Sequence, residues 1–296
     1  MQSETIQAPV HLGKFAASWI IVKESFAILR QDKEIVWFPV LSSLVSILVI
    51  VSMVVGYALA LSWGPFEKAI TFVKQDNLKL VLVSVVFLLI YLIITFISSF
   101  FQAGLFIIVN GRFSGKNLSF ADGISGAFKK LGAIFIWSVI SFTVGLVLEI
   151  IAEKFKLIGR LVSSILGAAW NILTFFSLPA LVIGNIGVID AYKESASAIR
   201  KKWGETIIIN FGTGLVFFVL YVVLTTLFVG LFFVDPVFAT IAGVPLLIIM
   251  LIVLPILSST LNSIFTLAIF VYAKTGEVPQ GFSKGVITGA VNVVEK

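Results

Sequence analysis

The sequence predicts an all-α fold, a polytopic helical membrane bundle of about six transmembrane helices flanked by short amphipathic helices, and three observations carry that expectation. Hydrophobic residue types make up 59% of the 296 residues and charged types only 12%, against about 45–50% and about 25% in soluble domains. The stretches free of Asp, Glu, Lys and Arg fall at 35–66, 80–111, 131–148, 161–189, 206–234 and 236–273. Each reaches or approaches the roughly 20 helical residues that cross a hydrocarbon core of about 30 Å. Their apolar runs are also continuous, as in Val81 to Ile90, whereas strands of a membrane barrel alternate. The pieces left between them are too short for a soluble domain. Residues 1–296 are therefore expected to form a single integral membrane domain.

The elements follow in chain order. Residues 1–13 are polar and mixed and read as a mobile tail without the short apolar core of a cleavable signal, so the first helix is expected in the mature protein. Over 14–34, Phe15, Trp19, Val22, Phe26 and Leu29 recur at helical spacing, with Lys14, Ser18, Lys23 and Glu24 around them. This amphipathic helix either lies among the headgroups or packs beneath the ends of the bundle. Spans are expected at about 35–62, 80–110, 131–152, 161–183, 206–233 and 245–273. The second is long enough to project from the bilayer or tilt, and prolines 179 and 255 should bend the fourth and sixth. Asp235-Pro236 reads as a cap and first helical residue. Gly243-Val244-Pro245 should then interrupt the helix, making 237–242 a short re-entrant or interfacial turn.

Three more amphipathic segments are expected. Ser119 caps a helix whose stripe is Phe120, Ile124, Phe128 and Leu131. Asp190 caps another with Tyr192, Ala196, Ile199 and Trp203. The segment 279–296 carries Phe282, Val286, Ala290 and Val293. Fifteen of the 21 Lys and Arg residues fall on the side of these segments, which by the positive-inside rule places both termini in the cytoplasm of a cell membrane. Trp19, Lys23, Arg30, Lys129, Lys130, Lys201 and Lys202 are the expected interfacial anchors, and membrane lipids with anionic headgroups the expected partners. Nucleic acid is not expected, because short basic loops offer no aromatic platform.

Lys23-Glu24-Ser25 followed by Arg30 recurs as Lys193-Glu194-Ser195 followed by Arg200, and Lys129-Lys130-Leu131-Gly132 resembles Lys201-Lys202-Trp203-Gly204. These strings suggest a threefold parallel repeat of amphipathic helix, outbound span and returning span, with chance similarity of short strings as the alternative.

The chemistry is sparse. There is no cysteine and a single histidine, His11, so thiolate, metal and cofactor sites are not expected. Glu149 and Glu153 lie one turn apart, but Lys154 and Lys156 beside them mark an ordinary charged helix end. Gly111-Arg112-Phe113-Ser114-Gly115-Lys116 is one residue short of a phosphate loop. No catalytic residue is assigned and the protein is not expected to be an enzyme. The informative residues are the polar ones inside spans, above all Ser98, Gln102, Asn171, Asn210, Ser259 and Asn262. Such groups cost free energy in lipid unless they face water or a partner. They either line a path for a small solute or join helices, each bond contributing about 0.6–2 kcal/mol. Two functions follow: a passive channel or facilitator for a small solute, or a non-catalytic membrane-organising, partner-binding or lipid-binding protein.

Ser18-Trp19, Lys23-Glu24-Ser25-Phe26, Leu29-Arg30, Asp32-Lys33-Glu34 and Phe38-Pro39-Val40-Leu41-Ser42-Ser43 resemble the opening of a family of prokaryotic multi-spanning membrane proteins catalogued only as a domain of unknown function. Gly111-Arg112-Phe113, Gly167-Ala168-Ala169-Trp170 and Trp203-Gly204-Glu205 resemble later positions of it. The resemblance implies an all-helical membrane protein of bacteria or archaea and supplies no activity, ligand or site residue.

Overall fold

In lipid the polar backbone of an apolar run has no hydrogen-bond partner but itself, so long runs of Leu, Ile, Val and Phe become helix after helix. The structure, a computed structural model, describes residues 14–60, 77–202 and 214–289. The expected tail over 1–13, the end of the C-terminal segment and Asn210 lie outside the described residues. The main helices are, in chain order, α1 Lys14–Gln31, α2 Trp37–Ala60, α3 Asn77–Phe113, α4 Phe120–Lys129, α5 Leu131–Lys154, α6 Lys156–Phe175, α7 Ser177–Ile183, α8 Val188–Lys202, α9 Gly214–Val234, α10 Val244–Thr275 and α11 Lys284–Gly289. There is no strand among the described residues.

Six helical segments are long and apolar enough to cross a membrane: Lys33–Gly56, Val83–Phe113, Leu131–Lys154, Ile158–Ile183, Val216–Val234 and Pro236–Thr275. Each overlaps one of the six expected spans, the sixth beginning at Pro236 where 245 was expected, and the chain is a multi-pass membrane protein. The fourth is broken at Phe176, between α6 and α7. Pro179 gives no N–H to the Phe175 carbonyl, so the ladder fails in the turn before the proline.

The buried core gathers at one end of the bundle. Ile21 and Ile28 of α1, Phe38 at the start of α2, Phe106 and Ile108 of α3, Ile134 of α5, Phe176 and Leu181, and Ile264 to Phe270 of α10 form one cluster. The amphipathic helices join it there: α4 packs on α3, α8 on α6 and α7, and α1 on α9, α10 and α11. The far halves of the spans instead expose Leu48, Val54, Phe87, Leu161, Phe233 and Leu246. Lipid gives apolar helices little reason to associate, so tight packing concentrates where amphipathic and small residues meet. The long α3 places its C-terminal half in this core, which accounts for its length beyond a bilayer.

On α1, Ser18, Ile21, Ser25, Ile28 and Leu29 are buried, while Trp19, expected as an interfacial anchor, is 46% and Phe26 40% exposed. The serines let α1 approach its neighbours, and the aromatics face out, as suits a membrane interface. Three local expectations are corrected on the other elements. On α4 the stripe is Phe120, Gly123, Ile124 and Ala127, and Phe128 is exposed. A Cβ on Gly123 would stand 2.7 Å from the Phe38 ring and 2.9 Å from the Gly104 carbonyl, so α3 and α4 meet backbone to backbone. Asp190 sits inside the first turn of α8, which begins at Val188, instead of capping it. Gly243-Val244-Pro245 does not interrupt the helix: the turn Pro236–Phe238 continues through the π-helical Ala239–Gly243 into α10, the wider π turn absorbing the glycine without a break. Asp235 does cap its start, accepting from the N–H groups of Val237 and Phe238 at 3.0 Å each. Gly276, at φ +77°, ends α10 with its N–H on the Tyr272 carbonyl at 2.8 Å, a left-handed stop that favours glycine.

Candidate functional site

Three helices converge near the core with small polar residues at helical spacing. Asp32 accepts from the Glu34 N–H at 3.2 Å, capping the 3₁₀ turn Lys33–Val36 that leads into α2. Pro39 then falls in the first turn of α2, where its missing donor costs nothing, and Ser43 Oγ donates to its carbonyl at 2.8 Å. Ser42 lies beside it, buried, with its Oγ 3.4 Å from Ser98 Oγ of α3. One turn along α3, Gln102 Nε2 donates to Ser263 Oγ of α10 at 3.4 Å. On α10, Pro255 provides no N–H for the Leu251 carbonyl one turn earlier, which leaves an acceptor the ladder does not use.

Between α2, α3 and α10 lies a cavity of about 490 Å³. Its polar wall is Ser42, Ser43, Ser98, Gln102, Ser259 and Ser263. Phe38, Phe101, Leu105, Leu251, Ile252, Pro255 and Ile256 contribute apolar surface. No ionisable side chain lines it. The arrangement can exchange hydrogen bonds with an uncharged molecule and offers nothing to hold or relay a charge.

The wall is set by contacts behind it. Phe38 is fully buried, wedged at Gly104 and Gly123, with its ring centroid 4.6 Å from that of Phe120. Ahead of α2, the Asp32 side chain, 5% exposed, takes the Nε and Nη2 of Arg112 at 3.1 Å each. Arg112 Nη2 also donates to Asn117 Oδ1. The start of α4 is held twice: Ser119 and Asp122 form a capping box, and the Phe120 N–H donates to Glu34 Oε2 at 2.6 Å. The Ser119 backbone and hydroxyl hold the exposed Asp122 carboxyl below its ordinary range.

A second polar cluster joins α5, α7 and α8. Trp137 Nε1 donates to Ser177 Oγ at 2.8 Å, the Tyr192 and Ser141 hydroxyls lie 3.2 Å apart, and the Phe176 N–H at the break donates to Ser195 Oγ at 3.0 Å. Lys130 Nζ donates to Asn185 Oδ1 at 2.9 Å and the Leu181 carbonyl at 3.4 Å. Burial pushes Lys130 down and Tyr192 up from their ordinary values. These groups are spent on helix joining. The repeated motif is used differently at its two copies: Ser25 and Ser195 are both fully buried, but Glu24 accepts from Ser283 while Glu194 pairs with Lys274 at 2.9 Å.

Of the residues singled out in the sequence, the structure brings Ser98, Gln102 and Ser259 together. Asn171 is exposed on α6, and Asn262 is exposed on α10 away from the cavity wall. Ser42, Ser43 and Ser263 complete the site and were missed. The signal was available, since Pro39 and Ser43, Ser98 and Gln102, and Ser259 and Ser263 are each four apart on one helix face. Trp19, Lys23, Arg30 and Lys129 are exposed, whereas Lys130 is engaged as above. Lys201 and Lys202 end α8, their side chains outside those described. Glu149 and Glu153 are exposed near the end of α5.

A family model described as a family of unknown function (DUF6159) matches residues 81–281, two thirds of the chain. The chain belongs to this family. Within the matched segment lie α10 and nearly all of α3, two walls of the cavity, while α1 and α2 precede it. No curated protein and no solved structure matches the chain.

Proposed function

We propose that this protein is a non-enzymatic membrane protein that binds a small, uncharged, hydrogen-bonding solute in the cavity between α2, α3 and α10 and passes it passively. It sits in the cell membrane with both termini in the cytoplasm, the orientation favoured by its lysine-rich and arginine-rich turns. The observation that carries the reading is the wall of five serines and Gln102 around about 490 Å³, within the usual range of ligand pockets. Hydroxyls in a bilayer need partners; Ser42 with Ser98, Ser43 with the Pro39 carbonyl and Gln102 with Ser263 meet that need, and the same groups keep further hydrogen-bonding capacity toward the open space that they line. Ion or proton coupling calls on ionisable groups inside spans, and the wall has none.

Solute flux into proteoliposomes tests this. Wild-type protein should accelerate entry of at least one small neutral polyol or amide, and Gln102→Leu combined with Ser98→Ala should abolish the acceleration while leaving the helical circular dichroism intact. Flux equal to that of empty liposomes across the panel would overturn it. A second reading, a membrane-organising scaffold, is favoured by α1, which exposes Trp19 and Phe26 beside Lys23 and Arg30 while its other face is buried.

A further inference from the structure

Two hollows of opposite character share the same pair of cations. One, of about 490 Å³, is an apolar groove formed by Phe26, Leu29, Val36, Trp37, Val40 and Leu257 of α1, the turn after it, α2 and α10. The other, of about 400 Å³, is polar and formed by Gln31, Asp32, Glu34, Arg112, Asn117 and Ser119, with Leu118. Arg30 and Lys33 line both.

These two cations are exposed, and neither pairs with a carboxylate among the described residues. The nearby acids are already engaged: Asp32 holds Arg112, and Glu34 accepts from the Phe120 N–H. Counting the ionised groups of the polar hollow, Arg30, Lys33 and Arg112 against Asp32 and Glu34, leaves one positive charge in excess. Arg30 is set 5.7 Å from the centroid of the Phe26 ring, at the groove's edge. Trp37, 55% exposed at the start of α2, is placed as interfacial tryptophans are.

We propose that this is a binding site for one glycerophospholipid of net charge −1, such as phosphatidylglycerol. Its phosphate lies between Arg30 and Lys33, one acyl chain fills the apolar groove, and the uncharged headgroup occupies the polar hollow. The charge excess matches a single anionic lipid, and the apolar half excludes a soluble phosphate as the natural occupant. Basic groups at this depth favour anionic over zwitterionic lipid. The site is separate from the serine-lined cavity and does not depend on the solute reading.

Trp37 reports the test. The full-length protein in mild detergent is titrated with brominated phosphatidylglycerol or brominated phosphatidylcholine. The Trp37 signal is taken as the difference between wild type and Trp37→Phe. Half-quenching is expected at an about tenfold lower mole fraction of the anionic lipid. Arg30→Gln with Lys33→Gln should remove that preference, while Lys116→Gln with Lys129→Gln keeps it. Glycerol phosphate in solution should not relieve the quenching. Equal quenching by the two lipids, a preference that survives Arg30→Gln with Lys33→Gln, or displacement by glycerol phosphate would each overturn the proposal.

Discussion

Replacing Gly123 by alanine is the sharpest test of how the cavity wall is built. The added Cβ would lie 2.7 Å from Phe38 Cζ, 2.9 Å from the Gly104 carbonyl oxygen and 3.0 Å from Ile108 Cδ1. One of these neighbours is backbone and one is a fully buried ring, so neither can simply rotate away. Overpacking of this kind costs about 1–3 kcal/mol, offset by up to about 1 kcal/mol because alanine favours helix over glycine. A net loss of about 1–2 kcal/mol is expected, with α4 pushed off α3 and Phe38 displaced toward the cavity. The control is Gly145→Ala in α5, where a Cβ meets nothing within 4 Å; that substitution should be neutral or mildly stabilising. Thermal unfolding in one detergent, followed by circular dichroism, compares the two. If Gly123→Ala melts with or above Gly145→Ala, the close α3–α4 contact is wrong.

Other expectations concern the groups around the site. Arg112→Gln leaves the buried Asp32 carboxylate without its cation and should cost about 2–3 kcal/mol, less than a fully buried pair because Arg112 is partly exposed; adding Asp32→Asn should recover part of the loss, and no recovery would argue against the pair. Burial pushes the Glu24 carboxyl above its ordinary value, against the bonds from Ser283 that pull it down. Folding therefore favours the protonated form: the contribution is full below the ordinary carboxyl range and lost as pH rises through the raised value. The wild-type midpoint should fall more steeply above about pH 4.5 than that of Glu24→Gln, and parallel slopes would refute the assignment. Trp137→Phe removes the donor to Ser177 Oγ and should cost about 1 kcal/mol in the same melting assay; an unchanged midpoint would show that the bond contributes nothing.

The spans were legible because a bilayer demands long uncharged helices, and 131–152 differs from the observed Leu131–Lys154 by two residues at one end. The caps at Ser119 and Asp235 were legible too, since each needs only local chemistry. The inward face of α1 was not. A pattern that in water would bury Trp19 and Phe26 here turns them outward, because the surroundings are themselves apolar, and leaves Ser18 and Ser25 to pack. The cavity was half legible. Its polar residues stand out within apolar helices, but that residues 42, 98 and 259 meet is a long-range fact that spacing along one helix does not contain. Asn171 and Asn262 looked equivalent to Gln102 in sequence and differ from it only in which way their helices turn.

The reading of the cavity as a solute site is tested most directly by thiol accessibility, which the absence of native cysteine makes clean. Single substitutions Ser98→Cys, Gln102→Cys and Ser259→Cys are exposed in membranes to a water-soluble, membrane-impermeant thiol reagent. Phe218→Cys on the outward face of α9 and Ser138→Cys, fully buried, serve as controls. Rapid labelling is expected at the three cavity positions, slowed by any solute that permeates, and little at the controls. Cavity positions as unreactive as Phe218→Cys from both sides of the membrane would contradict it.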